Sequence, residues 1–205
     1  MKVAMVVVMV VAMVVEAEVV VDGSGYSGVV VAISPNLPAT TTEQQEKVIA
    51  DVKELVTAAS EGIFRANFNL LYLAEVTVVV PAGWKVTHEE TLPGESWEVA
   101  DIVIVEGGAA TPSAPLVRAG GVCGVRGGRV EVPYDYFDPN VQALYGDPGK
   151  VMAQAWLQYR YGVYEEHGYP GDTAFPLSYR HLPTNATRPS LCTDWDSLKG
   201  GWLDA

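Results

Sequence analysis

Histidine, cysteine and positive charge are all scarce in this 205-residue chain: three His, two Cys, and 13 Lys+Arg against 25 Asp+Glu. The formal net charge of −12 argues against nucleic acid or anionic lipid as a partner, because both demand clustered Lys and Arg. The histidines are His88, His167 and His181, and no two stand four apart, so the two-histidine helical metal motif has no candidate among them. There is no Gly-x-Ser-x-Gly string, which removes the nucleophile elbow of the serine hydrolases. Two cysteines, Cys123 and Cys192, suffice for one disulfide across a long loop in an oxidising compartment, and spacing alone leaves their pairing open. Past the N-terminus no apolar run reaches the ~20 residues of a membrane-spanning helix.

The N-terminus carries what the rest lacks. Lys2 precedes an unbroken apolar run over residues 3–15, followed by Glu16-Ala17-Glu18. A run this short behind one Lys reads as a signal peptide over 1–17, with Val15 and Ala17 at the small-residue positions of a cleavage site. The competing reading is a buried strand. Cleavage would leave a secreted or extracellular chain with no membrane insertion of its own, held at a cell surface only through a partner. Its charge would be unchanged, because the leader removes one Lys and one Glu. The remainder is long enough for one domain with a sizeable core, expected over 18–180, with an irregular tail over 181–205.

Strand and helix signals alternate along this domain. GVVVAIS at 28–34, EVTVVV at 75–80 and DIVIV at 101–105 are β-branched runs stopped by Pro or Gly, the pattern of strands buried on both faces. Between the first two, Thr42 followed by Gln45 looks like a capping box, and Val48, Ile49, Val52, Leu55, Val56 and Ala59 recur at helical spacing until Gly62 offers a C-cap. Residues 107–128 are rich in Gly, Ala, Pro and Ser and read as a long loop, before RVEV at 129–132, a short strand suited to a sheet edge. Asp147-Pro148 then opens a second helix that should end at Gly162. The class is α/β: a mixed, mostly parallel sheet with two main helices packed on it.

Six strings in order carry a resemblance: GYSGVVVAISPNLP at 25–38, KELVTAAS at 53–60, VTVVVPAGWK at 76–85, ADIVIV at 100–105, Cys123-Gly124 before a short strand, and YGDPGKVMAQAWLQYRYGVYEE at 145–166. Together they resemble the N-terminal, metalloprotease-like domain of the calcium-activated chloride channel regulators. The resemblance implies a zincin-like fold and, in the last string, the family's H-E-x-x-H zinc motif followed by a Trp-Gly pair and two acids. Two histidines four apart on a helix hold zinc, and the intervening Glu activates a bound water. Aligned on Tyr161-Gly162 and Glu165-Glu166, Gln154 and Gln158 stand where the histidines would be, Ala155 where the general base would be, and Glu165 at the third, acidic ligand. Gln154-Ala155-Trp156-Leu157-Gln158 is thus a degenerate zinc motif, and no cofactor is expected.

A carboxamide oxygen is a poor zinc ligand beside imidazole, and a methyl group accepts no proton, so the resemblance implies a pseudoprotease. The pair Gln154 and Gln158 at i, i+4 suits a mutual hydrogen bond on a half-exposed face. Tyr134, Tyr136, Phe137, Tyr145, Trp156, Tyr159, Tyr161 and Tyr164 gather aromatic mass near this helix; core packing is the first account, and a peptide-binding groove the second. Trp156 should share a buried stripe with Met152. Asn185-Ala186-Thr187 satisfies the N-glycosylation rule. The expected function is a catalytically inactive, secreted domain that binds an extracellular protein or peptide, a chloride channel among the candidates the family suggests. The alternatives are a hydrolase using a rebuilt site near Glu165 and His167, and a secreted binding protein with no channel role.

Overall fold

The computed structural model describes residues 4–8 (backbone only), 19–23, 25–84, 96–107, 113–117, 124–163, 173 and 176–189. By contacts the chain divides into Met1–Val163 and Tyr164–Ala205.

The first unit is built on a six-stranded sheet. Its strands are β1 (Ala4–Val8), β4 (Val29–Ile33), β6 (Glu75–Val79), β7 (Ile102–Val105), β8 (Leu116–Val117) and β9 (Val130–Pro133), in the order β1-β6-β4-β7-β9-β8. All neighbours are parallel except β8 on β9. The three β-branched runs form its centre as expected, and their alternation sorts side chains between two faces. Val29, Val31 and Ile33 join Val76, Val78, Ile102, Ile104, Val130 and Val132 in the main core, while Val30, Ala32, Val79 and Val103 point the other way into a smaller cluster with Ala100. A smaller sheet of β2 (Val20–Asp22), β3 (Gly25–Ser27) and β5 (Tyr72–Leu73) lies just upstream, with β3 and β5 leading into β4 and β6.

One expectation is corrected at the sheet's edges. The strand near 130 is not an edge: two residues of the presumed loop, Leu116–Val117, form β8 outside it. At the opposite edge β1 pairs in register with β6, from Ala4 beside Glu75 to Val8 beside Val79. These residues lie within the stretch read as a leader, so its removal would uncover the outer edge of β6.

Both long helices serve the main core: α1 (Thr42–Ala66) and α3 (Pro148–Tyr161), with a short α2 (Pro139–Tyr145) between them in sequence that sequence reasoning did not foresee. The cap of α1 is Thr41, one residue before the expected one. Its hydroxyl accepts from the Gln44 N–H at 3.2 Å while the Gln44 side chain accepts from the Thr41 N–H at 3.1 Å, a capping box. The helix also runs past Gly62, which is no C-cap. A Cβ at Gly62 would stand 2.0 Å from the Gly149 carbonyl oxygen, and one at Gly149 would stand 2.5 Å from the Ala58 carbonyl oxygen. Gly62 is therefore glycine because the backbones of α1 and α3 meet there. Two residues before it, Ser60 Oγ accepts from Leu73 N–H at 3.1 Å and donates to Leu73 O at 3.3 Å, tying α1 to β5.

In the second unit, β10 (Ser178–His181) and β11 (Ala186–Pro189) form an antiparallel hairpin, so part of the tail expected to be irregular over 181–205 is strand. Among the described residues no helix is long and apolar enough to cross a membrane.

Ala is worth about 1 kcal/mol more than Gly in a helix interior, yet a methyl group has no rotamer with which to escape a backbone oxygen. Gly62→Ala should therefore destabilise the fold by about 1–3 kcal/mol through forced separation of α1 and α3. Urea unfolding checks this against the exposed-face control Glu46→Ala, which should stay within about 0.5 kcal/mol of the parent.

Candidate functional site

Helix α3 carries Gln154, Ala155 and Gln158, and its limits are those its caps dictate. The Asp147 carboxylate accepts from Lys150 N–H at 3.0 Å, Pro148 occupies the first turn, and Gly162 closes the end in the left-handed region at φ 61. Gly149, Met152, Ala153 and Trp156 fall on one buried stripe, as expected for Trp156 and Met152. Gln154 is exposed, Gln158 half-buried and Tyr161 exposed, three residues along another stripe, while Ala155 is only 3 % exposed. Gln154 and Gln158 do not hydrogen-bond each other, and neither amide has a partner among the described residues. The face at Gln154 and Gln158 therefore offers uncharged donors and acceptors, while Ala155 turns its methyl group into the core.

Among the described residues no group of three His, Cys, Asp or Glu is placed to hold a metal. Glu165, His167, His88, Cys123, Cys192 and Tyr164 lie outside the described residues, so the third-ligand position, the rebuilt site and the disulfide have no geometry here.

The aromatic residues divide mainly in favour of packing. Trp156, Tyr159 and Tyr136 are at most 1 % exposed, Tyr134 and Phe137 are half-buried, and Tyr145 and Tyr161 are each 44 % exposed. Tyr26 packs edge-on to Trp156 at 5.3 Å between centroids, and its hydroxyl lies 2.6 Å from that of Tyr161. Burial, followed by the bond to Tyr161, pushes the Tyr26 phenol above its ordinary range. A groove of about 270 Å³, lined in part by Lys47, Asp51, Leu55, Phe137, Pro139 and Pro148, opens between α1 and the N-terminal ends of α2 and α3; it includes neither Gln154 nor Gln158.

What sequence reasoning missed is the anchor beneath the C-terminal half of α3. Asp101, 1 % exposed, sits just before β7. One carboxylate oxygen accepts from Val30 N–H at 2.9 Å; the other accepts from Arg126 at 2.9 Å and from the Tyr159 hydroxyl. Arg126 also donates to the Tyr159 hydroxyl and lies over its ring at 4.7 Å. Next to it, Gly127 N–H donates to Tyr159 O at 2.8 Å and Gly124 N–H to Gly162 O at 3.0 Å, so the 124–127 loop is strapped along the helix end. The only signal available was an acid at the head of an apolar strand, a position that burial forces to find donors.

The chain matches the family model described as "Calcium-activated chloride channel N terminal" over residues 19–194, past the boundary expected at 180. It is 32 % identical over 173 residues to calcium-activated chloride channel regulator 1 of Sus scrofa, covering 84 % of this chain and 18 % of that protein. It is 31 % identical over 158 residues to regulator 1 of Homo sapiens, covering 77 % and 16 %, and 33 % identical over 175 residues to regulator 3A-1 of Mus musculus, covering 82 % and 18 %. The chain thus spans less than a fifth of the length of these relatives. No solved structure matches it. On these matches the chain belongs to the calcium-activated chloride channel regulator family, as a copy of its N-terminal domain. The relatives are named as regulators, not as enzymes.

Burial raises the Asp101 carboxyl to about 6 from its ordinary 3.8, against the opposing pull of Val30 N–H, Arg126 and Arg160. An acid raised on folding binds more protons folded than unfolded. Its contribution to stability is complete below about 3.8 and lost as pH rises through about 6. The melting temperature should fall across that window, and Asp101→Asn should flatten the slope while lowering stability at every pH, because an amide nitrogen would then face a donor. Calorimetry from pH 4 to 7 measures both.

Proposed function

We propose that this chain is a catalytically inactive, zincin-like domain that works outside the cell by binding a protein or peptide partner. The observation that carries the reading is the chemistry of α3. Aligned as the resemblance implies, its positions 154, 155 and 158 fall on the family's H-E-x-x-H motif; they hold two amides and a methyl group, the amides exposed or half-exposed and without partners among the described residues. This donor set does not fit zinc: neutral amide oxygens replace imidazole, so no step is assigned to a metal. General-base catalysis is worth about 10²–10⁴ in rate, and Ala155 has nothing with which to supply it.

The zincin-like reading draws support from the mostly parallel sheet, its single antiparallel edge strand β8, and the packing of α1 and α3 against the same core. Secretion rests on the leader pattern at 1–17. A binding role fits a helix face whose polar groups are unspent, since a partner that satisfies buried amides gains specificity as well as affinity. Modulation of a chloride channel enters only through the names of the relatives.

Elemental analysis of the purified chain, dialysed after exposure to one equivalent of zinc, should find no retained metal. Gln154→His combined with Gln158→His should retain it, since imidazoles four apart on a helix meet one ion. Near-stoichiometric zinc in the parent chain would sink the pseudoprotease reading.

A further inference from the structure

The Asn185-Ala186-Thr187 motif lies at the closed end of the β10–β11 hairpin. Asn185 is the last residue of the turn and sits in the left-handed region at φ 56, which Asn tolerates better than most residues. Its backbone N–H donates to His181 O at 2.8 Å and closes the turn, while its exposed side-chain amide has no partner among the described residues. Thr187 is exposed in β11 opposite Arg180, and its hydroxyl is likewise unpaired among the described residues. Neither group of the motif is spent on the fold. Large apolar side chains are exposed on and beside the hairpin: Leu182 in the turn is 87 %, Tyr179 in β10 46 % and Leu177, just before β10, 53 % exposed. A two-stranded hairpin is marginal by itself, and uncovered apolar side chains on it invite association.

We infer that Asn185 is a glycan attachment site and that its oligosaccharide covers the apolar outer surface of this hairpin. The inference rests on the secretory reading above. In the step itself the Asn185 amide nitrogen attacks the anomeric carbon of a lipid-diphosphate-linked oligosaccharide, supplied and catalysed by the host's transferase. A carbon–nitrogen bond forms as the carbon–oxygen bond to the diphosphate breaks; the lipid diphosphate leaves with the electron pair, and the amide loses one proton. A neutral amide is retained, so the net charge of the protein part does not change.

The full chain is expressed in a eukaryotic secretory host in two forms, one with its own N-terminus and one with residues 1–17 replaced by a leader of known function. Secreted protein is treated with an amidase that releases N-glycans and read by mass spectrometry. Behind the known leader, the expected result is a discrete loss of mass with Asn185 converted to Asp. Thr187→Ser should keep that loss of mass, and both Asn185→Gln and Thr187→Ala should lack it. Trimmed protein should also self-associate more than the glycosylated form on size-exclusion chromatography. A chain secreted behind the known leader without any mass loss overturns the site. A glycosylated chain behind the known leader beside an unglycosylated, cytosolic chain with its own N-terminus overturns the secretory reading, and with it occupancy in the native protein.

Discussion

The close meeting of α1 and α3 at Gly62 and Gly149 sets the geometry of the rest. With backbone against backbone, Met152, Ala153 and Trp156 are carried down among Val52, Val56 and Ala59 in the same core. The opposite stripe of α3, with Gln154 and Gln158, is thereby turned away from the packing. Its orientation depends on two glycines and on buried side chains of α1 and α3, and Gln154 and Gln158 take no part in that packing. That separates the scaffold from the polar face: Gln154 and Gln158 can be exchanged while the layer beneath, Ala155 included, remains packed.

The strands of the central sheet were legible because each is a β-branched run closed by Pro or Gly, and helix α3 because Asp147-Pro148 and Gly162 are caps that work locally. What escaped was nonlocal. A glycine at the end of a periodic helix reads as a stop, and Gly62 reads that way until its neighbour across the interface is known; the demand for a missing side chain looks the same in both cases. The strand β8 is two residues long and exists because Val130 and Glu131 offer it an edge. For residues 154–158, the resemblance supplied the positions and the sequence their chemistry. Their exposure, and the absence of a mutual bond between Gln154 and Gln158, needed the packed helix.

Asp101 is the reverse case, a polar residue with a large structural role and almost no sequence signature. Its partners Val30, Arg126 and Tyr159 are drawn from a strand, a loop and a helix far apart in the chain. Sequence patterns see neighbours within a turn or a strand, so a carboxylate whose donors lie 71, 25 and 58 residues away is seen only once the fold is closed.

The same carboxylate bears on how the molecule opens. Helix ends ordinarily fray alone, since the last turn has few bonds to lose. Here the last full turn of α3 holds Tyr159, whose release would take one donor from the buried Asp101 carboxylate and loosen the loop at 124–127. The end of the helix and the middle of the sheet are therefore one cooperative unit, and slow amide exchange should extend from β4 through Tyr159 to the C-cap of α3 in place of the graded fraying an isolated helix end would show.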